Sequence, residues 1–196
     1  MVDLSRDILA HASYFKDVNG DVLNDPRVVV YVNDGRHHLQ MQPLASYDLI
    51  TLEPPPIGYA GVAALYSKEF YTLVRDRLTP GGAMTLQAGM TKLGELDFFA
   101  SIHRTLREVF PVVAGYQTFI SCFGTPWGFI TATKKVDPYR QDIATIDRLI
   151  ADRVKGPMAY WDGQTHQHAF NLPRHIRAAI NAQTRVVTDA HPLIVT

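Results

Sequence analysis

Glu53 is the residue whose surroundings point most directly to chemistry. It directly follows Tyr47–Leu52, a short run of clustered and alternating apolar residues without a helical period, and it precedes three prolines, Pro54, Pro55 and Pro56. This pattern predicts a buried strand that runs into a stiff loop. In open parallel α/β sheets, ligands bind at the carboxyl ends of the strands. Glu53 is therefore a candidate site residue, although its position alone leaves open that it is a solvated loop residue.

Two further acids occupy similar positions. Asp3 ends a short apolar segment at the start of the chain, and Asp34 with Gly35 follows the β-branched run Val28–Val32. A carboxylate at one strand end can accept hydrogen bonds from both hydroxyls of a ribose, and one at the next can accept from an adenine amino group. Acids at strand ends are common, so this spacing alone is a weak signal.

The elements that must position these acids alternate between strand and helix. Ser5 and Ser67 are predicted helix N-caps, and apolar spacing predicts further helices over about 36–41 and 95–110. Ala83–Leu86 is predicted as a strand after Pro80-Gly81-Gly82, and Val112–Ile120 with Trp127–Thr133 as an antiparallel hairpin. This order predicts an α/β fold with a mostly parallel sheet. We expect one domain over residues 1–136 and a helical C-terminal extension over 137–196 packed on it.

Composition excludes several classes of function. The chain has 196 residues with 19 basic and 19 acidic side chains, so neither a nucleic-acid surface nor a polyanion-binding role is indicated. No apolar run approaches the roughly 18 residues that span a bilayer. Cys122 is the single cysteine, which favours a reducing compartment, and the cytoplasm is the predicted location. Although His166, His168 and His175 lie close in sequence, no Cys or acid completes a ligand set, and no metal site is predicted.

Local motifs in series are more specific than the strand-end acids. They are Val2-Asp3-Leu4, Asp25-Pro26-Arg27-Val28, Asp34-Gly35-Arg36, Tyr47-Asp48-Leu49-Ile50, Leu65-Tyr66-Ser67-Lys68-Glu69-Phe70-Tyr71, Leu78-Thr79-Pro80-Gly81-Gly82, Gln87-Ala88-Gly89, Leu106-Arg107-Glu108-Val109-Phe110-Pro111 and Trp127-Gly128-Phe129. In this order they resemble the spermidine synthase (polyamine aminopropyltransferase) family, which has a methyltransferase-like Rossmann fold. The tail, with Tyr160-Trp161-Asp162-Gly163 and Thr188-Asp189-Ala190-His191-Pro192, resembles thermospermine-synthase-like members.

The resemblance implies transfer of an aminopropyl group from decarboxylated S-adenosylmethionine to a polyamine, with that nucleoside as co-substrate and no separate cofactor. Glu53 matches the acid that binds the amine and accepts its proton, Asp3 the ribose-binding acid, and Asp34 with Gly35 the adenine-contacting pair. Gln87 ends the next strand beside the same crevice, where it could bond substrate or tie down its own loop.

The sequence departs from the family pattern in two ways. In the family, the residue at the position of Glu53 is usually Asp. A second acid usually occupies the position of Pro56. Family members also begin with a small β-rich domain, then a first Rossmann strand and a glycine-rich turn, which do not precede Asp3 here. The strands at Met1 and Tyr47 are then expected to lack a neighbour, unless another polypeptide supplies one or the strands close up; a fragment of a longer protein is the favoured explanation, and the isolated chain is expected to be inactive.

Two other functions stay open. One is a methyltransferase that uses intact S-adenosylmethionine on the same fold. The other is a non-catalytic module that binds a nucleoside or a polyamine, or that complements a missing N-terminal half. The expected partners are the small-molecule substrates, with such an N-terminal half or a second copy of the chain as macromolecular candidates.

Overall fold

A computed structural model describes residues 1–54 and 62–193. The chain divides into two compact units, Met1–Pro43 and Leu44–Thr196, so residues on both sides of position 136 belong to the second unit. No helix within the described ranges is both long and apolar enough to cross a membrane.

The first unit contains a pair of two-residue parallel strands and three short helices. Its elements are β1 (Val2–Asp3), α1 (Arg6–His11), α2 (Lys16–Asn19), β2 (Tyr31–Val32) and α3 (Gly35–Gln40), with 3-10 turns at Ala12–Phe15 and Val22–Asn24. The strands pair Val2 with Tyr31 and Asp3 with Val32. The predicted cap at Ser5 is confirmed, because its hydroxyl accepts from the amide of Ile8 at 3.2 Å. The second strand is much shorter than the β-branched run that predicted it.

The second unit is built on a four-stranded sheet in the order β3-β4-β6-β5. The strands are β3 (Tyr47–Leu52), β4 (Leu78–Met90), β5 (Val112–Ile120) and β6 (Thr125–Thr133). β3 and β4 are parallel, whereas β6 pairs antiparallel with both β4 and β5. The predicted strand at Tyr47 is confirmed, but its predicted burial is wrong, because Ile50 is its one buried residue and Leu49 is 60% exposed. The terminal hairpin and the α/β fold class are confirmed.

β4 differs from its prediction. The Pro80-Gly81-Gly82 segment does not separate helix from strand, because β4 already begins at Leu78. The register moves from Tyr47–Leu78 to Leu49–Ala83, so residues 79–82 bulge out of the parallel pair. A bulge of this kind combines turn-forming residues with continued strand pairing, which sequence periodicity alone does not reveal.

Helices α4 (Lys68–Arg77) and α5 (Asp97–Leu106) provide much of the core. Ser67 caps α4 by accepting from the amide of Phe70 at 3.2 Å, as predicted. Phe99 of α5 lies against two glycines of the hairpin: a Cβ at Gly128 would be 2.5 Å from its Cδ2, and a Cβ at Gly115 would be 2.9 Å from its Cζ. Glycine at these two positions therefore lets the helix approach the sheet closely.

The C-terminal segment contains α6 (Ile143–Arg153), α7 (Gly163–Phe170) and α8 (Arg174–Ala182), preceded by a 3-10 turn at Pro138–Arg140. Backbone hydrogen bonds attach it to the core: the Val187 amide donates to Thr105 Oγ1 at 2.9 Å, and its carbonyl accepts from the Lys68 amide at 2.9 Å. Leu172, Ile176 and Leu193 are buried. This segment is therefore part of the folded second unit.

The described strands form two separate sheets. Within the described residues, β1 pairs only with β2, and β3 pairs only with β4.

Candidate functional site

The carboxyl ends of β3 and β4 bring Glu53 and Gln87 together. Leu52 is in register with Leu86, so Glu53 and Gln87 are the next residues along two neighbouring parallel strands. Asp3, Asp34 and Gly35 belong to the first unit, at the carboxyl ends of the β1–β2 pair. Pro56 lies outside the described residues.

One face of the second sheet carries the side chains next to Glu53. The registers Thr85–Thr131, Gln87–Phe129 and Tyr116–Phe129 place these residues on the same face, because side chains alternate along a strand. The opposite face carries Met84, Leu86, Ile130 and Ala132, all buried in the apolar core. The polar and aromatic face is therefore the one on which chemistry can occur.

Glu53 itself is exposed, but protein atoms around its carboxyl group still remove some water. This partial burial raises the pKa of Glu53 above the usual value, and solvent access limits the rise. The negative charge of Glu53 in turn contributes to a raised pKa at two phenols, Tyr66 and Tyr116, where burial is the larger cause. Both phenols stay neutral at physiological pH and lie within electrostatic reach of the carboxylate.

Gln87 uses its whole amide group in hydrogen bonds within the protein. Its Nε2 donates to the Pro54 carbonyl at 2.7 Å and to the Tyr66 hydroxyl at 3.1 Å. Its Oε1 accepts from Trp127 Nε1 at 3.0 Å and from the Gly89 amide at 3.2 Å. A glutamine has two N–H donors and two acceptor lone pairs, so these four bonds occupy all of them. Gln87 thereby fixes the residue that directly follows Glu53.

Aromatic rings extend the site across the sheet. Tyr116 stacks on Phe129 with ring centroids 5.3 Å apart, and Trp161 approaches it edge-on at 6.4 Å. A carboxylate beside neutral aromatic rings can hold an alkylammonium group, because both the negative charge and the ring faces attract a cation. The C-terminal segment thus contributes Trp161 to the surroundings of the candidate site.

Neither Tyr66 nor Tyr116 stands out in the sequence as a site residue. Tyr66 appears only within a family-like motif, and Tyr116 lies on β5, at the far edge of the sheet from β3. The hairpin register could have indicated Tyr116, because it places this residue opposite Phe129 and next to the strand that pairs with Gln87.

In the first unit, the two predicted acids have local structural roles. Asp3 Oδ1 accepts from the Ser5 amide at 2.7 Å, and Asp34 Oδ1 accepts from the His37 amide at 2.7 Å as the N-cap of α3. Gly35 is the first residue of that helix. These bonds orient both carboxylates at the strand ends, and contact of Asp3, Asp34 and Gly35 with a nucleoside stays a prediction.

The C-terminal histidines do not form a metal site in the part of the chain that the structure describes. No group of three His, Cys, Asp or Glu side chains there has the geometry of a metal site. His166 Nε2 lies 3.0 Å from the carbonyl of Pro138, and the His166 ring packs on Phe170.

Comparisons with known proteins identify the family and the fold. A sequence model of the spermine/spermidine synthase domain matches residues 1–142. The polyamine aminopropyltransferase 2 of Hyperthermus butylicus is 30% identical over 197 aligned positions, which cover 100% of this chain and 64% of the relative. A polyamine aminopropyltransferase of Synechococcus is 31% identical, with 98% of this chain and 63% of the relative covered. The chain thus spans a little under two thirds of the length of these curated relatives.

Solved structures give the same fold. The spermidine synthase of Thermotoga maritima superposes with a TM-score of 0.77 at 20% identity, covering 93% of this chain and 60% of that one. A spermidine synthase in complex with the transition-state analogue AdoDATO gives a TM-score of 0.74 at 20% identity, covering 93% and 59%. At this identity the structural likeness establishes the Rossmann-like fold, and the matched sequence model establishes the family. The chain belongs to the spermine/spermidine synthase domain family.

Proposed function

We propose that this protein is an aminopropyltransferase that moves the aminopropyl group of decarboxylated S-adenosylmethionine to an amine of a polyamine. The observation that carries the proposal is Glu53, an exposed carboxylate at a parallel strand end within electrostatic reach of Tyr66 and Tyr116. Family membership supplies the reaction class. The nucleoside is a substrate in this reaction, and no separate cofactor is proposed.

The reaction requires a neutral amine. Its nitrogen attacks the methylene carbon bonded to the sulfonium, a C–N bond forms, and the C–S bond breaks with its electron pair going to sulfur. Methylthioadenosine leaves as a neutral thioether, and the nitrogen loses one proton. A primary amine has a pKa near 10, so only roughly one molecule in a thousand is neutral at pH 7. We propose that Glu53 binds the ammonium form and accepts that proton.

Gln87 is proposed to position this base rather than to bind substrate. Its four hydrogen bonds join Pro54, Tyr66, Trp127 and Gly89, which links the loop after Glu53 to β4, to β6 and to the turn before α4. With every donor and acceptor of the amide occupied, contact with a substrate would require one of these bonds to break.

Asp3, Asp34 and Gly35 are proposed to bind the adenosine part of the co-substrate. The proposal is supported by their place at the carboxyl ends of the parallel pair β1–β2 and by the family pattern. Since Cys122 is the single cysteine, a reducing compartment, the cytoplasm, is proposed as the location.

The direct test is product analysis. The purified protein is incubated with decarboxylated S-adenosylmethionine and putrescine or spermidine, and methylthioadenosine and the extended polyamine are quantified. Equal amounts of the two products are expected. Methylthioadenosine binding without turnover would instead indicate a non-catalytic module, and methyl transfer from intact S-adenosylmethionine would indicate a methyltransferase.

A further inference from the structure

A cavity of about 1010 Å³ lies at the other end of the second sheet. Its lining includes Val112 at the start of β5, Arg107 just after α5 and Lys135 just after β6. In the pairing of β5 with β6, Val112 lies opposite Thr133 at this end of the sheet. Thr118 lies opposite Trp127 near the other end, where Trp127 donates a hydrogen bond to Gln87. A ligand in this cavity would therefore not touch Glu53.

The rim of the cavity is strongly cationic. Four basic side chains and a single carboxylate, Asp137, line it, although acids and bases balance over the whole chain. Arg140 pairs with Asp137 at 3.2 Å, and Arg177 Nη1 donates to the carbonyl of Leu172. Arg107 and Lys135 form no ion pair with any described residue. The local excess of positive charge attracts anions.

His103, which also lines the cavity, has an unpaired polar atom. His103 is 6% exposed, and its Nδ1 is buried without a hydrogen-bond partner among the described residues. Burial and the charge of Arg107 lower the pKa of His103 to about 4, against a backbone hydrogen bond to Val113 that acts in the other direction. Buried polar atoms are rarely left unpaired, but this atom has almost no accessible surface, so a ligand in the cavity would not contact it.

Much of the remaining lining is apolar. Phe110, Phe170 and Leu172 are buried residues that line it. Small-molecule sites typically enclose about 300–1,000 Å³ and combine an apolar lining with a few polar groups. Guanidinium groups bind phosphate oxygens in a bidentate manner, which distinguishes phosphate from simple anions. A cationic rim over an apolar wall thus fits a phosphate ester with an organic body.

We propose that this cavity binds an organic phosphate of nucleotide size, with Arg107 and Lys135 contacting the phosphates. The ligand is not a reactant, because the cavity and Glu53 lie at opposite ends of the sheet. The proposal is independent of aminopropyl transfer, so either can fail without the other.

The test is calorimetric titration with UTP, tripolyphosphate and uridine. A uridine nucleotide is chosen because the proposed adenosine site would complicate the use of ATP. Binding of UTP is expected to be tighter than that of tripolyphosphate, and uridine is expected not to bind. The double variant Arg107→Gln/Lys135→Gln should weaken UTP binding by about tenfold or more. Both side chains are exposed and without ion pairs to described residues, so this variant should keep its fold, which circular dichroism checks.

The matched control is Arg153→Gln/Lys155→Gln, which removes the same charges from an exposed segment outside the cavity. The control variant should bind UTP with unchanged affinity. Saturating methylthioadenosine should not change the UTP affinity of the unsubstituted protein either. The proposal is overturned if UTP does not bind, if the cavity variant binds it normally, if both double variants lose affinity equally, or if methylthioadenosine displaces it.

Discussion

The two ends of the four-stranded sheet differ in the sign of charge that they present. At the carboxyl end of β3, Glu53 stands beside neutral phenols, while at the start of β5 the cavity rim carries Arg107 and Lys135 without ion-pair partners among the described residues. The chain as a whole has no formal net charge. Opposite charges at opposite ends fit the two proposed ligands, a polyamine at one end and an organic phosphate at the other.

The largest effect is expected from Glu53→Gln, which removes the base and leaves a side chain of the same size. Methylthioadenosine formation should fall by about 10²- to 10⁴-fold, as is typical for loss of a general base. The control is Glu95→Gln, another exposed glutamate, which is paired with Lys92 outside the site. Equal rates for the two variants would remove Glu53 from the mechanism.

Gln87→Leu tests whether the glutamine positions the base. It leaves partners of the amide, including Trp127 Nε1 and the Gly89 amide, without their bonds, so the free energy of unfolding should drop by about 1–3 kcal/mol. We expect kcat to fall by roughly tenfold and KM for the amine to rise by a smaller factor, because the substitution displaces the carboxylate that is proposed both to bind the ammonium and to accept its proton. A rise in KM alone, with kcat unchanged, would support the role in substrate binding predicted from the sequence.

Gly128→Ala tests whether the β5–β6 hairpin, which connects the two ends of the sheet, must pack tightly against α5. The added Cβ would lie 2.5 Å from Phe99 Cδ2 and 2.7 Å from Thr91 Cγ2, so we expect a loss of about 1–3 kcal/mol in the free energy of unfolding. Gly81→Ala is the control, since a Cβ there meets nothing within 4 Å. Denaturant unfolding measures both, and equal stability would show that the helix can move away from the sheet without a large energetic penalty.

The smallest expected effect is a pH dependence of the free energy of unfolding, which arises from His103 beside the cavity. The pKa of His103 is lowered to about 4, so between about pH 4 and the usual histidine value of 6.5 the unfolded chain binds a proton that the folded chain does not. Stability should therefore fall as pH falls through that window. His103→Gln should flatten the slope relative to the exposed control His175→Gln, in urea unfolding at a series of pH values. An unchanged slope would show that His103 is protonated in the folded protein.

The reaction rate should also depend on pH, through Glu53. Since its pKa is raised, the carboxylate form needed as base is lost at a higher pH than for an ordinary glutamate with a pKa of 4.5. The acidic limb of the rate profile should lie above that value and disappear in Glu53→Gln. A limb that persists in the variant would belong to another group.

Local patterns predicted local structure well. The apolar run before three prolines predicted the observed bounds of β3, Tyr47–Leu52, because proline has no backbone N–H to donate to a strand. Ser5 and Ser67 cap helices as predicted, because a serine hydroxyl directly before a helix accepts a hydrogen bond from a free backbone amide of the first turn.

Features that depend on strand order could not be read from the sequence in the same way. Tyr116 reaches the charge of Glu53 only because β6 and β5 follow β4 across the sheet. The cationic rim combines Arg107, Lys135, Arg140 and Arg177, which are widely separated along the chain and share no common motif. Balanced overall charge predicted no polyanion partner, whereas the fold concentrates basic side chains in one cavity.

The most direct test measures spermidine and UTP binding on the same protein with two variants. Glu53→Gln should weaken spermidine binding and leave UTP binding intact, while Arg107→Gln/Lys135→Gln should do the reverse. Isothermal titration at constant ionic strength gives all of these affinities. If each variant weakened both ligands alike, the two ends would not be separate sites, and the assignment of opposite charges to opposite ligands would be wrong.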